Sequence, residues 1–124
     1  MPFRESLPHA CPPPEAVELT RDLDVFRITR NQVATDEDFH SLQRLNPSRN
    51  FGDEACRACG LSVNTVREHA TRLLLLPKFK GRAVCRVRLT TGAGRIQQTG
   101  RWSHHTWWPS AGFDILAACM EDAA

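Results

Sequence analysis

The hydrophobic positions of this chain follow two different periods. Apolar and polar residues alternate in "DVFRI" (24–28) and again in "RAVCRVRLT" (82–90), which is typical of strands with one buried face. The glycines of "TGAG" (91–94) favour a tight turn, and "RIQQTG" (95–100) then predicts a returning partner strand. "HHTWWP" (104–109) predicts a further strand or an aromatic-rich sheet edge.

Elsewhere the apolar residues recur at helical spacing. Thr35, with Asp38 three residues later, predicts a helix start close to a capping box, and Asn46-Pro47 predicts its end. A short helix is compatible with 53–59, because Gly60 is suited to a helix C-cap. A longer one is expected over 64–76, capped by Asn64 or Ser62 and stopped by Pro77, and a last one after Pro109-Ser110.

These elements predict a single α+β domain with an antiparallel sheet and about three helices. The domain is expected to span 17–124, after an irregular segment 1–16 whose prolines exclude a helix or central strand. Within it, "GLSV" (60–63) is predicted to be extended rather than a helical turn. The predicted core comprises Phe26, Ile28, Phe39, Leu42, Val66, Leu73, Val87, Leu89, Ile96, Trp107 and Leu116.

The composition of the 124 residues is that of a globular protein, with 41% hydrophobic residues and 24% charged residues. No segment approaches the roughly 20 apolar residues that span a bilayer. Charges and prolines occupy the N-terminal positions where an export signal would be apolar, so we expect a cytoplasmic protein without a membrane partner. In that compartment the five cysteines are expected to be reduced thiols rather than disulfides.

Charge is distributed unevenly along the chain. Residues 56–109 contain ten Lys and Arg against one Glu, a net charge of +9, whereas 1–55 carry −4. This centre suits a polyanionic partner, most naturally nucleic acid, although a solvated basic face balanced by the acidic flanks is the alternative. The predicted binding residues are Asn64, Thr65, Arg67, Arg72, Lys78, Lys80, Arg82, Arg86, Arg88, Arg95, His104 and Trp108.

The cluster His104-His105 and Trp107-Trp108 is rich in residue types that bind ligands. Adjacent strand residues point to opposite faces, so His105 and Trp107 are expected to pack inward. His104 and Trp108 are then expected to face solvent or a partner, where they could stack on a base. An edge strand whose tryptophans cover the end of the sheet is the alternative.

The segment "EACRACGLSVNTVREHATRL" (54–73) resembles the helix-turn-helix of response-regulator-type bacterial transcription factors. The resemblance lies in Glu54, Arg57, the "GLS" turn, Thr65-Val66 and His69. It implies that Asn64, Thr65, Arg67 and Glu68 face DNA, with Arg86, Arg88 and Arg95 of the following hairpin on phosphates.

The order of motifs along the whole chain, from "VFRI" and "DEDFHS" to "VCRVRL" and "SHHTWW", resembles a family of small uncharacterised bacterial proteins, often associated with mobile elements. It is also loosely similar to the ADP-ribosyltransferase-like fold, in which a strand arginine and a later strand serine line a nicotinamide cleft. That similarity implies a cleft containing Arg27 and Ser62, with His105 closing it. The catalytic glutamate of that fold has no counterpart here, so catalysis is not expected.

Other signals for chemistry are weaker. Cys56-x-x-Cys59 has the spacing of half a zinc site, but a second pair is missing, so buried thiols and no metal are expected. No cofactor is expected. The sequence therefore predicts a non-enzymatic binding protein whose basic centre engages an acidic partner. The alternatives are an inhibitor- or immunity-type interaction module of a mobile element, and a degenerate or active ADP-ribosyltransferase-like NAD-binding domain.

Overall fold

The computed structural model describes residues 2–120. The strands are β1 (Val17–Glu18), β2 (Leu23–Thr29), β3 (Leu61–Asn64), β4 (Ala83–Leu89), β5 (Gly94–Gln98), β6 (His104–Pro109) and β7 (Cys119–Met120). The helices are α1 (Leu42–Leu45), α2 (Ala55–Ala58), α3 (Arg67–Leu73) and α4 (Ile115–Ala118), with 3-10 turns at Asp36–Phe39, Gly52–Glu54 and Pro77–Phe79.

All seven strands belong to one antiparallel sheet in the order β1-β5-β6-β3-β2-β4-β7. The longest pairing joins β2 to β4 along their full lengths, with Val25 opposite Val87. Strand β3 lies at the centre, between β2 and β6, where Leu61 is opposite Trp107. The α+β class with an antiparallel sheet is therefore confirmed.

One face of the sheet carries the main core. Alternate residues of β2, β3, β4 and β6 point to this face and most of them are buried, as the period of two predicts. Phe39 and Ile115, from the 3-10 turn and α4, pack over them. The most deeply buried members are Val25, Phe39, Leu61, Val63, Val87, Leu89 and Trp107.

The opposite face is covered by α2 and α3. Helix α3 packs on β2 and β3, with Ala70 completely buried. The end of α2 lies against β6, where the Trp108 indole Nε1 donates to the Cys56 carbonyl at 3.0 Å. Gly60 permits this approach, because a Cβ there would overlap the side chain of Thr106. Both faces of the sheet centre are therefore covered.

The N-terminal segment is irregular but attached to the sheet. Phe3 bridges Ser110, and the Arg4 amide donates to the Pro109 carbonyl at 2.9 Å. Cys11 and Cys56 form a disulfide across 45 residues of sequence. The prediction that all the cysteines are reduced thiols is wrong for this pair, since spacing in sequence does not reveal which distant residues the fold brings together.

The local elements agree with the predictions in type but differ in length. The "GLSV" segment is extended as predicted, since Leu61–Asn64 is strand β3. Asp38 accepts from the Thr35 amide at 2.9 Å, which confirms the helix start, but a 3-10 turn and the one-turn helix α1 replace a continuous helix. The helices are shorter than predicted, and Leu42, Val66 and Leu116 are consequently exposed rather than in the core.

Candidate nucleic-acid interface

A tryptophan lies exposed in the turn that joins β5 to β6. Trp102 is 55% exposed and adopts a positive φ of 57°, an uncommon conformation for a bulky residue. The turn is closed by the His104 amide, which donates to the Arg101 carbonyl at 3.0 Å, and by the Gln98 side-chain amide, which donates to the Trp102 carbonyl at 2.6 Å. The indole is therefore presented by an ordered turn.

Side chains of α3 contact this indole. The Arg72 guanidinium carbon lies 5.2 Å from the ring centroid, and the His69 ring centroid lies 5.2 Å away with an interplanar angle of 39°. The exposed Arg101 precedes the tryptophan. We call His69, Arg72, Arg101 and Trp102 the Trp102 surface. It joins an aromatic ring to two cationic side chains, the combination that binds bases and phosphates.

Ser103 fixes the turn against α3. Its buried hydroxyl lies 2.8 Å from Nδ1 of His69, and it accepts hydrogen bonds from the Val66 amide at 3.1 Å and from the Asn64 side-chain amide at 3.4 Å. Because Val66 is the N-cap of α3, these contacts hold the helix start, the end of β3 and the turn together. The position of Trp102 therefore depends on a buried polar group.

A cleft of about 260 Å³ opens on the sheet face that carries α2 and α3. It is lined by side chains of β3 and β6 and by Thr99, the residue after β5, which together we call its floor, and also by α1, α2 and the segment that precedes α2. The lining residues are Leu42, Phe51, Glu54, Arg57, Ala58, Ser62, Thr99, His104 and Thr106.

A chain of hydrogen bonds crosses the floor of this cleft. Oγ1 of Thr99 lies 2.7 Å from Oγ1 of Thr106 and 3.2 Å from Nδ1 of His104. Burial lowers the pKa of His104 below its ordinary value, and the neighbouring His105 and Arg57 act in the same direction. The imidazole is therefore neutral at physiological pH, and the floor is polar without being charged.

The predicted basic residues are divided between the surface and the sheet. Lys78, Lys80 and Arg82 are exposed in the connection between α3 and β4. Arg88 pairs with Asp24 at 2.9 Å, which lowers the pKa of that carboxyl, and Arg95 donates to the Ala16 carbonyl at 3.0 Å. Arg86 and Arg95 are half-buried, as are Arg67 and Thr65, so the sequence overestimated the accessible positive charge.

Two predicted contact residues are not accessible. Trp108 is 1% exposed, so the prediction that it faces solvent is wrong: it lies on the face opposite Trp107, but α2 covers that face as well. Asn64 is buried at the end of β3. His104 is half-buried at the cleft, whereas the inward position predicted for Trp107 is confirmed by its complete burial.

The structure does not bring Arg27, Ser62 and His105 together in one cleft. Arg27 lies on the core face, where its guanidinium Nη1 donates to the carbonyl of Ser62 at 2.8 Å, not to its hydroxyl. Burial lowers the pKa of Arg27 to about 10. The Ser62 side chain lines the cleft on the other face, and His105, opposite Val63, shares the face of Arg27. The predicted grouping is therefore wrong, because β3 separates its members.

No three-residue grouping of His, Cys, Asp and Glu suited to a metal ion occurs within residues 2–120. Cys56, half of the candidate zinc pair, is disulfide-bonded, and Cys59 is a buried thiol whose pKa is raised by burial. None of the helices in this part of the chain is long and apolar enough to cross a membrane.

Comparisons with known proteins found no match among protein-family models, curated proteins or solved structures. The sequence did not single out Trp102, although an Arg-Trp pair after Gly100, in the turn between two predicted strands, is a usable signal for an exposed aromatic. Gly100 has a specific role there, since a Cβ at this position would lie 2.7 Å from Nδ1 of His104.

Proposed function

We propose that this protein binds nucleic acid through the Trp102 surface. The observation that supports this most directly is the exposed indole held beside Arg72, with Arg101 next to it in the same turn. A single exposed apolar residue is ordinary on a protein surface, and what distinguishes Trp102 is the pair of cationic side chains beside its ring. Every base presents a π-face, so an indole with adjacent guanidinium groups can stack on a base while the cations contact phosphates.

The distribution of charge around this surface supports the same partner. Arg72 and Arg101 form no salt bridge with a carboxylate among residues 2–120. Lys78, Lys80 and Arg82 follow α3 and are also exposed. Positive charge that is not neutralised within the fold attracts a polyanion and releases its counterions on binding.

The affinity of the Trp102 surface can be measured by fluorescence anisotropy with labelled single-stranded and duplex oligonucleotides at two salt concentrations. We expect Trp102→Ala to weaken binding about 5- to 150-fold, the loss of roughly 1–3 kcal/mol of base stacking. Arg101→Ala should weaken binding and make it less sensitive to salt, because each lost phosphate contact lowers the slope by about 0.7–0.9.

Arg30→Ala is the matched control. Arg30 is exposed and pairs with Glu37 at 2.9 Å, so its substitution removes one positive charge away from the Trp102 surface. It should leave the affinity nearly unchanged. The proposal fails if the native protein binds no oligonucleotide at low salt, or if Arg30→Ala weakens binding as much as Arg101→Ala does.

A further inference from the structure

We infer that the cleft on the α2 side of the sheet holds one unpaired nucleobase, so that the protein prefers single-stranded over duplex nucleic acid. This inference rests on the proposed function, because the base would belong to the strand that contacts Trp102. It adds a second contact, made by the residues that line the cleft floor: Ser62, Thr99, His104 and Thr106.

Size restricts what can enter the cleft. Pockets for drug-sized ligands generally enclose about 300–1,000 Å³. A cleft of about 260 Å³ therefore suits a single planar ring system and excludes a stacked pair of bases. A base inside a duplex could reach this floor only after leaving its stack, which costs free energy that a single strand does not expend.

The cleft floor can complement either kind of atom on a base edge. If the Thr99 hydroxyl donates to Nδ1 of His104, Thr106 donates to Thr99 and offers a lone pair to the ligand. If the chain runs the other way, His104 donates to Thr99, Thr99 donates to Thr106, and the Thr106 hydroxyl is free to donate. Such a reversible chain accepts the varied edges of different bases.

The charge pattern fits a nucleotide better than a charged metabolite. The floor groups are hydroxyls and an imidazole, and the charged lining residues are Arg57 and its partner Glu54. The guanidinium carbon of Arg49 lies 4.5 Å from the centroid of the Phe51 ring, and Arg57 is 3.6 Å from its exposed partner Glu54. A base at the floor thus leaves its phosphate near Arg57, which Glu54 partly neutralises, and near Arg49, which contacts the lining residue Phe51.

The cleft lies close enough to Trp102 for one strand to use both. His104 and Thr99 are the residues on either side of the turn that presents the indole. Trp102 and His104 are two residues apart, so their Cα atoms are separated by at most about 8 Å. A strand that stacks one base on Trp102 therefore passes the cleft within a nucleotide or two.

The test compares the native protein with two cleft variants. Ser62→Leu fills the cleft from an exposed strand position, and Ser48→Leu adds the same side chain at an exposed site outside the cleft lining. Thr106→Val keeps the shape but removes the terminal hydroxyl of the chain. Each variant is titrated with a labelled single-stranded oligonucleotide, with its duplex, and with free nucleoside monophosphates followed by NMR shifts of the His104 ring.

We expect Ser62→Leu to weaken single-strand binding about 10-fold or more and Thr106→Val to weaken it about 3- to 10-fold, the range for a lost neutral hydrogen bond. The duplex affinity of both variants should equal that of the native protein. Ser48→Leu should bind single strands as tightly as the native protein does. Saturable changes in the NMR shifts of the His104 ring on titration with a nucleoside monophosphate would indicate that the cleft binds a free nucleotide as well as a base within a strand.

The two failures are distinguishable. If the native protein binds no nucleic acid, the proposed function and this inference are both overturned. If binding depends on Trp102 but Ser62→Leu and Thr106→Val bind single strands as tightly as the native protein, only the inference is overturned. Equal native affinities for single strand and duplex have the same consequence.

Discussion

Strand β6 and the turn before it both carry tryptophan, yet the environments of these residues are opposite. Trp107 and Trp108 are 0% and 1% exposed, whereas Trp102 is 55% exposed. Neighbouring residues in a strand face opposite sides, so both can be buried only where both sides of the sheet are covered. The main core covers Trp107 and α2 covers Trp108, but within residues 2–120 no element covers the outer side of the turn. Burial thus marks the two tryptophans of β6 as packing residues, whereas the exposed Trp102 belongs to the proposed binding surface.

The largest effect that tests this comparison is expected in the free energy of unfolding of two tryptophan variants in β6. Trp107→Ala and Trp108→Ala should each destabilise the protein by about 3–5 kcal/mol, the usual cost of emptying a buried aromatic site. Trp108→Ala additionally leaves the Cys56 carbonyl without the 3.0 Å hydrogen bond that it accepts from the indole. Urea denaturation measures both. A small effect for Trp108→Ala would mean that α2 does not pack on that face.

This contrast also shows which features could be predicted from the sequence alone. The alternation around Val87 predicted strand β4, because a period of two directly records which side chains share a face. The prediction that the strand after the glycine turn, β5, returns as the partner of β4 is wrong, since β4 pairs with β2 and β7 whereas β5 pairs with β1 and β6. The same period gave the correct face for Trp107. It could not show that Trp108 is buried too, because that depends on α2, a single turn of helix brought there by long-range packing.

The candidate site was less accessible to prediction than the sheet. The cleft combines residues from Leu42 to Thr106, and no local spacing specifies that α1, α2 and the end of β5 meet around β3 and β6. The disulfide between Cys11 and Cys56 is a similar long-range feature. Basic residues were identified from composition, but their pairing was not: Arg88 and Asp24 are partners only because β2 lies beside β4.

The next largest effect is expected for Ser103, which joins the buried strand to the exposed turn. Ser103→Ala should destabilise the protein by about 1–3 kcal/mol, because the buried Asn64 side-chain amide and the Val66 amide lose their acceptor and His69 loses its partner. It should also weaken oligonucleotide binding, since Trp102 would no longer be held. Ser48→Ala, at an exposed position, is the control in urea denaturation. An unchanged unfolding midpoint for Ser103→Ala would show that the turn is held by other contacts.

Trp102→Ala should give the reverse of the result for Trp107→Ala. We expect its free energy of unfolding to lie within about 0.5 kcal/mol of the native value, as for most surface substitutions. The cation–π contact with Arg72 is exposed and contributes little to folding. Thermal unfolding and anisotropy on the same samples measure both properties. A large loss of stability would make Trp102 a packing residue and remove the distinction between the turn and the strand.

The smallest effect concerns His104, which stands between the two regions. Its pKa lies below the ordinary value of the unfolded chain, about 6.5, mainly because of burial. Above that pH the His104 imidazole is neutral in both the folded and the unfolded state, and no stability is lost. As the pH falls through this value, the unfolded chain binds a proton that the folded protein binds less readily, so the free energy of unfolding decreases. Urea unfolding midpoints are measured at one pH above 6.5 and one below it. On going to the lower pH, the midpoint should therefore fall more for the native protein than for His104→Gln. The other histidines contribute to both proteins and cancel in this difference. If the two pH dependences are identical, the His104 ring is solvated like the turn, and the polar cleft floor is more open to water than the hydrogen bond to Thr99 indicates.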